Sequence, residues 1–312
     1  MLSDLIAALS TAPGRSALAV VRLSGRGAFD TALRILTLPP DHPIRPRHAT
    51  LATFAESDGT VIDRGLVTFF PGPDSYTGED LVEFSTHGGL LVPGQLLTAL
   101  LAAGARPATA GEFTRRAFQN GKLDLLQAEA VADLVEAGTR AQGRGAIRQM
   151  EGGLSRRLDA LRTGLIDVLA LLSYDIDFPE EDDGPVDQAA IRDSLSRSRD
   201  AVAALLDTAV VGERVRSGAL VVLAGRPNAG KSSLFNALLQ TERALVTEIP
   251  GTTRDTIEAD LDVDGWPIKL ADTAGLRTSD DRLEQLGIEV SRKYLAAADL
   301  ILLCVEAGRA FD

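Results

Sequence analysis

The residues best suited to chemistry are Gly225-Arg226-Pro227-Asn228-Ala229-Gly230-Lys231-Ser232, which fit the pattern Gly-x-x-x-x-Gly-Lys-Ser/Thr. Glycines in such a loop let successive backbone N–H groups turn inward and cradle anionic oxygens. A helix beginning where the loop ends adds a dipole that favours phosphate. Lys231 is placed to reach the outer phosphates of a nucleotide, and Ser232 to ligate magnesium. The pattern requires a strand before it and a helix after it. The apolar run Ala219 to Ala224 and the helix-like run Ser233 to Leu239 supply both.

Two later stretches fit the same chemistry. Thr247-Glu248-Ile249-Pro250-Gly251-Thr252-Thr253-Arg254-Asp255 is polar and turn-rich, as a mobile switch is. A threonine there can complete magnesium coordination only while the γ-phosphate is present. Ile257, Ala259, Leu261 and Val263 alternate, Asp264-Gly265 makes a hairpin turn, and Pro267 to Ala271 returns as a strand. Asp272-Thr273-Ala274-Gly275 ends that strand. The aspartate suits the outer magnesium shell and the Gly275 N–H is placed to sense the γ-phosphate. Leu283 to Ala298 reads as the next helix and Leu300 to Val305 as an apolar strand. The single cysteine, Cys304, lies in that strand and reads as core packing.

The elements that must position these residues sort into three expected domains. Residues 1–119 mix strands and helices in a compact α+β unit. Leu18 to Leu23, Val61 to Phe70 and Asp80 to Ser85 read as strands, and Ala28 to Leu36 and Leu90 to Ala103 as helices. Arg22 and Glu83 are charges within strand-like runs, and on the pattern alone they face outward from a half-solvated sheet. His87, beside Gly88-Gly89, reads as structural. Residues 120–216 turn to helical periodicity, with Leu123, Leu126, Ala130 and Val131 on one face and Leu158, Leu161, Leu165 and Leu169 on another. These helices are expected to pack as a bundle. The acidic run Glu180-Glu181-Asp182-Asp183 lacks calcium-loop spacing and reads as a solvated loop. Residues 217–312 form the nucleotide-binding domain.

Composition bounds the partners. The chain has 312 residues, 45% of them hydrophobic, and a net charge of −12. It is globular, and its charge argues against a broadly basic nucleic-acid-binding surface but not against a local basic patch. One cysteine allows no intrachain disulfide. No apolar run reaches the ~20 residues of a membrane span, and no signal peptide is seen. The expectation is a cytoplasmic protein without membrane contact. A nucleotide switch of this class continues through further strands and helices, including the Asn-Lys-x-Asp segment that selects guanine. No such segment is present, so the domain is expected to be truncated near its middle. An open sheet edge, exposed apolar surface and weak nucleotide binding should follow, and the choice between GTP and ATP stays open on these residues.

The sequence resembles the MnmE (TrmE) family of tRNA-modification GTPases. The switch motifs carry part of the resemblance. Pro13-Gly14-Arg15, Arg22-Leu23-Ser24-Gly25, Phe70-Pro71-Gly72-Pro73, Tyr76-Thr77-Gly78-Glu79-Asp80, His87-Gly88-Gly89, Gly111-Glu112-Phe113-Thr114, Asn120-Gly121-Lys122-Leu123-Asp124-Leu125 and Ile176-Asp177-Phe178-Pro179 carry the rest. The resemblance implies an N-terminal tetrahydrofolate-binding and dimerisation domain, a helical bundle lacking its last helices, and the first half of a Ras-like α/β GTPase domain. It implies that Arg22, Glu83 and Lys122 hold a tetrahydrofolate derivative (5-formyl or 5,10-methylene), which reverses the outward reading of the first two. GTP would be held by Asn228, Ala229, Gly230, Lys231, Ser232 and Ser233, by Thr247, Glu248, Ile249, Pro250, Gly251, Thr252 and Thr253, and by Asp272, Thr273, Ala274 and Gly275. Ser232 and Thr253 would ligate magnesium; Asn228, Thr247, Ile249 and Thr252 would surround potassium. Glu284 matches the catalytic glutamate that orients the attacking water, although its residue pattern alone is that of a first-turn helix glutamate. The resemblance further implies a homodimer. It also implies a heterotetramer with the flavoprotein MnmG (GidA) and modification of the wobble uridine of tRNA at C5. The family's C-terminal Cys-x-Gly-Lys is missing, and Cys304 is not that cysteine.

Overall fold

The computed structural model describes residues 4–38, 44–177, 187–226, 228–241, 243–244, 258–272 and 292–308. The chain divides into two compact units, Met1–Ala128 and Glu129–Asp312.

The first unit is built on strands β1 (Ile6–Leu9), β2 (Leu18–Ser24), β3 (Leu36–Thr37), β4 (Thr50–Ala55), β5 (Val61–Phe70), β6 (Leu81–His87) and β7 (Arg106–Pro107). They form one seven-stranded sheet in the order β3-β4-β5-β6-β2-β1-β7. Helices α1 (Ala28–Arg34) and α2 (Val92–Ala102) contribute Ala28, Ala32, Leu96 and Leu100 to its core. Period-two alternation decides what they cover. Val21, Leu23, Val82 and Phe84 are wholly buried in that core, with Phe54 and Phe84 meeting edge to face at 5.7 Å. The intervening residues point to the other face, which leaves Leu18, Leu51 and Leu66 exposed. The expected strands and helices are present. The alternation reading missed β1, β4 and helix α3 (Glu112–Gln119), which are short or carry no clear apolar stripe.

Helix α4 (Leu125–Glu136) leads into the second unit. Helices α5 (Arg140–Met150), α6 (Gly153–Asp177) and α7 (Gln188–Ser217) then pack on one another, as a bundle requires. Thr139 caps α5 reciprocally with Gln142. Much apolar surface of this bundle is open, including Leu169, Ile176, Leu206 and Val210. The nucleotide-binding part follows as β8 (Ala219–Gly225), α8 (Lys231–Thr241), β9 (Arg243–Ala244), β10 (Glu258–Val263), β11 (Trp266–Asp272) and β12 (Leu300–Cys304). The sheet order is β12-β8-β11-β10-β9, with β8 parallel to both β11 and β12. Asp264 and Gly265 both take positive φ, 51° and 87°, as a tight hairpin turn demands. Val221, Leu223, Phe235, Leu261 and Leu270 form the core beneath α8.

One expectation is corrected. Cys304 is only half-buried. Its strand lies at the sheet edge, where Leu300, Leu303 and the following Val305 are exposed, so the side chain has too few neighbours to be core.

Candidate functional site

The phosphate loop joins the end of β8 to the start of α8. Gly225 leaves the strand at φ 144°, and a Cβ there would lie 2.4 Å from the Cys304 carbonyl oxygen. Only glycine fits that close approach. Asn228 and Gly230 also turn at positive φ, 65° and 90°. Lys231 opens α8 and is 6% exposed. Its ammonium donates to the carbonyls of Gly225 at 2.9 Å and Arg226 at 2.8 Å, so the side chain curls back over the loop. Parallel pairing of β8 with β11 sets Leu223 beside Asp272, and this brings the two strand ends together. The Ser232 hydroxyl then donates to Asp272 Oδ2 at 2.9 Å. A hydroxyl and a carboxylate at this distance form a hard-oxygen pair of the kind that suits magnesium. Ala229 and Ser233 lie in the same loop and first helical turn. Thr247, Glu248, Ile249, Pro250, Gly251, Thr252, Thr253, Thr273, Ala274, Gly275 and the candidate catalytic Glu284 lie outside the described residues, as does the acidic run 180–183.

The second cluster is in the first unit. Register places Arg22 of β2 opposite Glu83 of β6, and the two form an ion pair at 2.8 Å on the open face of the sheet. Both are about one third exposed, with side chains at 32% and 27%. Both charges therefore lie on the face that alternation gives them, and there they pair with one another. The ring of Tyr76 lies over the Arg22 guanidinium at 5.5 Å, and its hydroxyl shares a hydrogen bond with Thr114 of α3 at 2.8 Å. Tyr76 belongs to the loop between β5 and β6. That loop is bound to its surroundings by Ser24 Oγ with Thr77 Oγ1 at 2.8 Å and by Asn120 Nδ2 donating to the Thr77 carbonyl at 2.7 Å. Lys122 comes to the same place. A Cβ on Gly78 would meet the Lys122 Cγ at 3.2 Å and the Asn120 Cβ at 2.9 Å. The structure thus pairs Arg22 with Glu83 and brings the Lys122 stem to Gly78 of the loop that carries Tyr76 over Arg22.

Beneath that loop is a buried charge network that the residue pattern did not reveal. Arg116 of α3 is 1% exposed and donates to the Asp4 carbonyl and carboxylate, to Glu79 at 3.0 Å and to Glu112 at 3.1 Å. Glu112, wholly buried, also accepts from Arg106 at 2.6 and 2.9 Å and from the Thr109 N–H at 2.8 Å. The Arg106 hydrogen bonds hold its carboxyl well below the usual carboxylate range, against the opposing effect of burial. Arg106 is correspondingly raised, first by Glu112 and then by Asp4. Glu112 and Arg116 lie in the short helix α3, whose residue pattern carries no local signal of such burial. His87, by contrast, is exposed, and its backbone N–H and ring reach Asp63, in keeping with a structural role.

A phosphate loop at the end of a parallel strand, with a serine and an aspartate meeting beside it, defines the nucleotide-binding class of P-loop proteins. Comparison with known proteins narrows the class. Residues 5–122 match the family model described as "GTP-binding protein TrmE N-terminus", and residues 125–300 match "MnmE helical domain". A protein of Dechloromonas aromatica (strain RCB) named "tRNA modification GTPase MnmE" is 46% identical over 98% of this chain and 68% of its own length. Proteins of the same name from Azoarcus sp. (strain BH72) and Neisseria gonorrhoeae (strain NCCP11945) are 46% and 47% identical over 97% and 96% of the chain. The chain covers 66% of the length of each of these two. The chain belongs to the MnmE family of tRNA modification GTPases. No helix among the described residues is long and apolar enough to cross a membrane.

Proposed function

We propose that this chain works as the folate-holding and nucleotide-switching part of a potassium-activated GTP hydrolase. With tRNA and the flavoprotein MnmG (GidA), that hydrolase would install the (carboxymethyl)aminomethyl group at C5 of the wobble uridine, as a cytoplasmic homodimer. The observation that carries the reading is the meeting of Ser232 and Asp272 at 2.9 Å beside the buried Lys231. Ser232 would bind magnesium directly and Asp272 would orient its outer shell, while Lys231 would turn from the loop carbonyls to the outer phosphates. Asn228, which turns at positive φ within the loop, would join Thr247, Ile249 and Thr252 on potassium, and Thr253 would complete the magnesium shell. Glu284 would hold the attacking water. When bound, the two cations supply charge against that developing on the transferred phosphoryl group, and the folate supplies a one-carbon unit. Arg22, Glu83 and Lys122 offer two cations and a carboxylate. These suit a folate, whose pterin edge carries N–H donors and whose tail carries carboxylates.

The test is GTP hydrolysis by the chain extended to the length of its relatives, in potassium and in sodium at equal ionic strength. Turnover that rises at least tenfold in potassium, and falls with Ser232→Ala, is the expected result. Equal rates in the two salts would remove the cation role from Asn228 and its neighbours. A second reading, of a folate-binding assembly module without turnover, is favoured by the self-contained core of the first unit. Folate binding with no hydrolysis by the extended chain would select it.

A further inference from the structure

The chain carries 44 acidic against 32 basic residues, so most of its surface repels a polyanion and any contact with one must be local. Helix α5 departs from that pattern. Its residues Arg140–Met150 include three arginines and no acidic residue. Arg140, Arg144 and Arg148 stand four apart, so they form one row along the helix with a rise of ~6 Å between neighbours. All three are exposed. The row faces away from buried Ala146 and from Gln142, whose Nε2 donates inward to the Arg216 carbonyl at 2.9 Å.

The row is both held and free. The Thr139 cap fixes the first turn, and the Ala141 N–H donates to the Gly265 carbonyl of the β10–β11 turn at 2.9 Å. The stem of Arg140 packs beside Gly265, where a Cβ would meet its own at 3.5 Å. Among the described residues, no acidic group claims the charges beyond the stems. Among the described residues none of the three guanidinium groups is in an ion pair, and Arg144 Nε reaches only the Arg140 carbonyl, at 3.4 Å. Glu151, after Arg148, and Asp264, beside Gly265, are exposed acidic neighbours, and neither pairs with the row. Gly143, beside Arg144, presents no side chain, and a Cβ there would meet nothing within 4 Å.

Evenly spaced guanidinium forks on a rigid helix complement a regular row of phosphates, each fork matching phosphate oxygens in a bidentate way. A membrane surface would call for an apolar stripe alongside, and the row is flanked only by Ile147. We propose that Arg140, Arg144 and Arg148 contact the phosphate backbone of tRNA, an inference that rests on the tRNA-modification reading above.

The experiment measures binding of a tRNA transcript to the chain and to the triple variant R140A/R144A/R148A across a potassium chloride series. Alanine keeps helix propensity, so circular dichroism should be unchanged. Three lost phosphate contacts should shrink the slope of log K against log salt by about 2 to 3. The triple lysine variant should keep most of the slope. Wild-type binding with an unchanged slope in the alanine variant would overturn the proposal and leave the tRNA reading standing. No tRNA binding by the wild type at low salt would overturn both. Unchanged tRNA binding with lost binding of an acidic protein partner would reassign the row and overturn the RNA contact.

Discussion

Replacing Glu112 by glutamine tests the buried network most directly. The carboxylate is fully buried and its two oxygens accept five hydrogen bonds, from Arg106 twice, from the Thr109 N–H and hydroxyl, and from Arg116. Glutamine keeps the shape but turns one acceptor into a donor. Whichever oxygen is replaced, an N–H then faces at least two other donors, and Arg116 loses a counter-charge within the core. Breaking a buried ion pair on one side costs about 3 to 5 kcal/mol. With ~4 kcal/mol lost, the slowest amides of β2 and β6, which report full opening of this unit, should exchange about 10³-fold faster near pH 7. The pH dependence supplies a sharper check. Arg106 holds the folded carboxyl far below its unfolded value of about 4.3. The contribution of Glu112 is therefore fully present above that value and shrinks as pH falls, by ~1.4 kcal/mol per unit. At pH 3 the gap between wild type and Glu112→Gln should have closed to roughly 2 kcal/mol, because glutamine does not titrate. Hydrogen exchange near pH 7 and urea unfolding at pH 3 measure the two ends. A gap below ~1 kcal/mol at neutral pH, or one that does not change with pH, would refute the reasoning.

Two further outcomes follow from close contacts. Gly225→Ala should push β12 from β8, because the new methyl would sit 2.4 Å from the Cys304 carbonyl at a φ of 144°. Calorimetry should show the second unit destabilised by ~2 kcal/mol or more, with nucleotide binding lost. Arg22→Ala should weaken binding of a tetrahydrofolate derivative at least tenfold in titration calorimetry. It should change the stability of the first unit by less than ~1 kcal/mol, because its ion pair with Glu83 is a third exposed.

The parts of this fold that were legible in the residues are those set by local repetition. The phosphate loop is visible because its glycines, lysine and serine are contiguous and its flanks switch from strand to helix, as β8 and α8 do. The β10–β11 hairpin is visible for the same reason, since Asp264-Gly265 is a turn in its own right. Strand β1 and helix α3 escaped because one is four residues long and the other carries Arg115 and Arg116 where an apolar stripe would stand. Arg116 looks like a surface residue in any window of the chain. Only Asp4, Glu79 and Glu112, brought from three separate segments, make its burial tolerable.

The charges on the open sheet face show the same limit from the other side. Alternation along β2 and β6 sends Arg22 and Glu83 away from Val21, Leu23, Val82 and Phe84, whether or not they do anything. What separates a site from a solvated strand here is contact over long sequence separations. Arg22 meets Glu83, Ser24 meets Thr77, and Asn120 meets Thr77, each across more than forty residues. These contacts fix the loop that carries Tyr76 above Arg22, and the buried network below it satisfies the charges of Glu79 and Arg116. Arg116 pairs through its two terminal nitrogens, while its buried Nε has no hydrogen-bond partner among the described residues, so the network ties the loop down at the cost of one unsatisfied donor. The Arg22–Glu83 pair therefore faces a loop that is tied down at Ser24, Arg116 and Asn120.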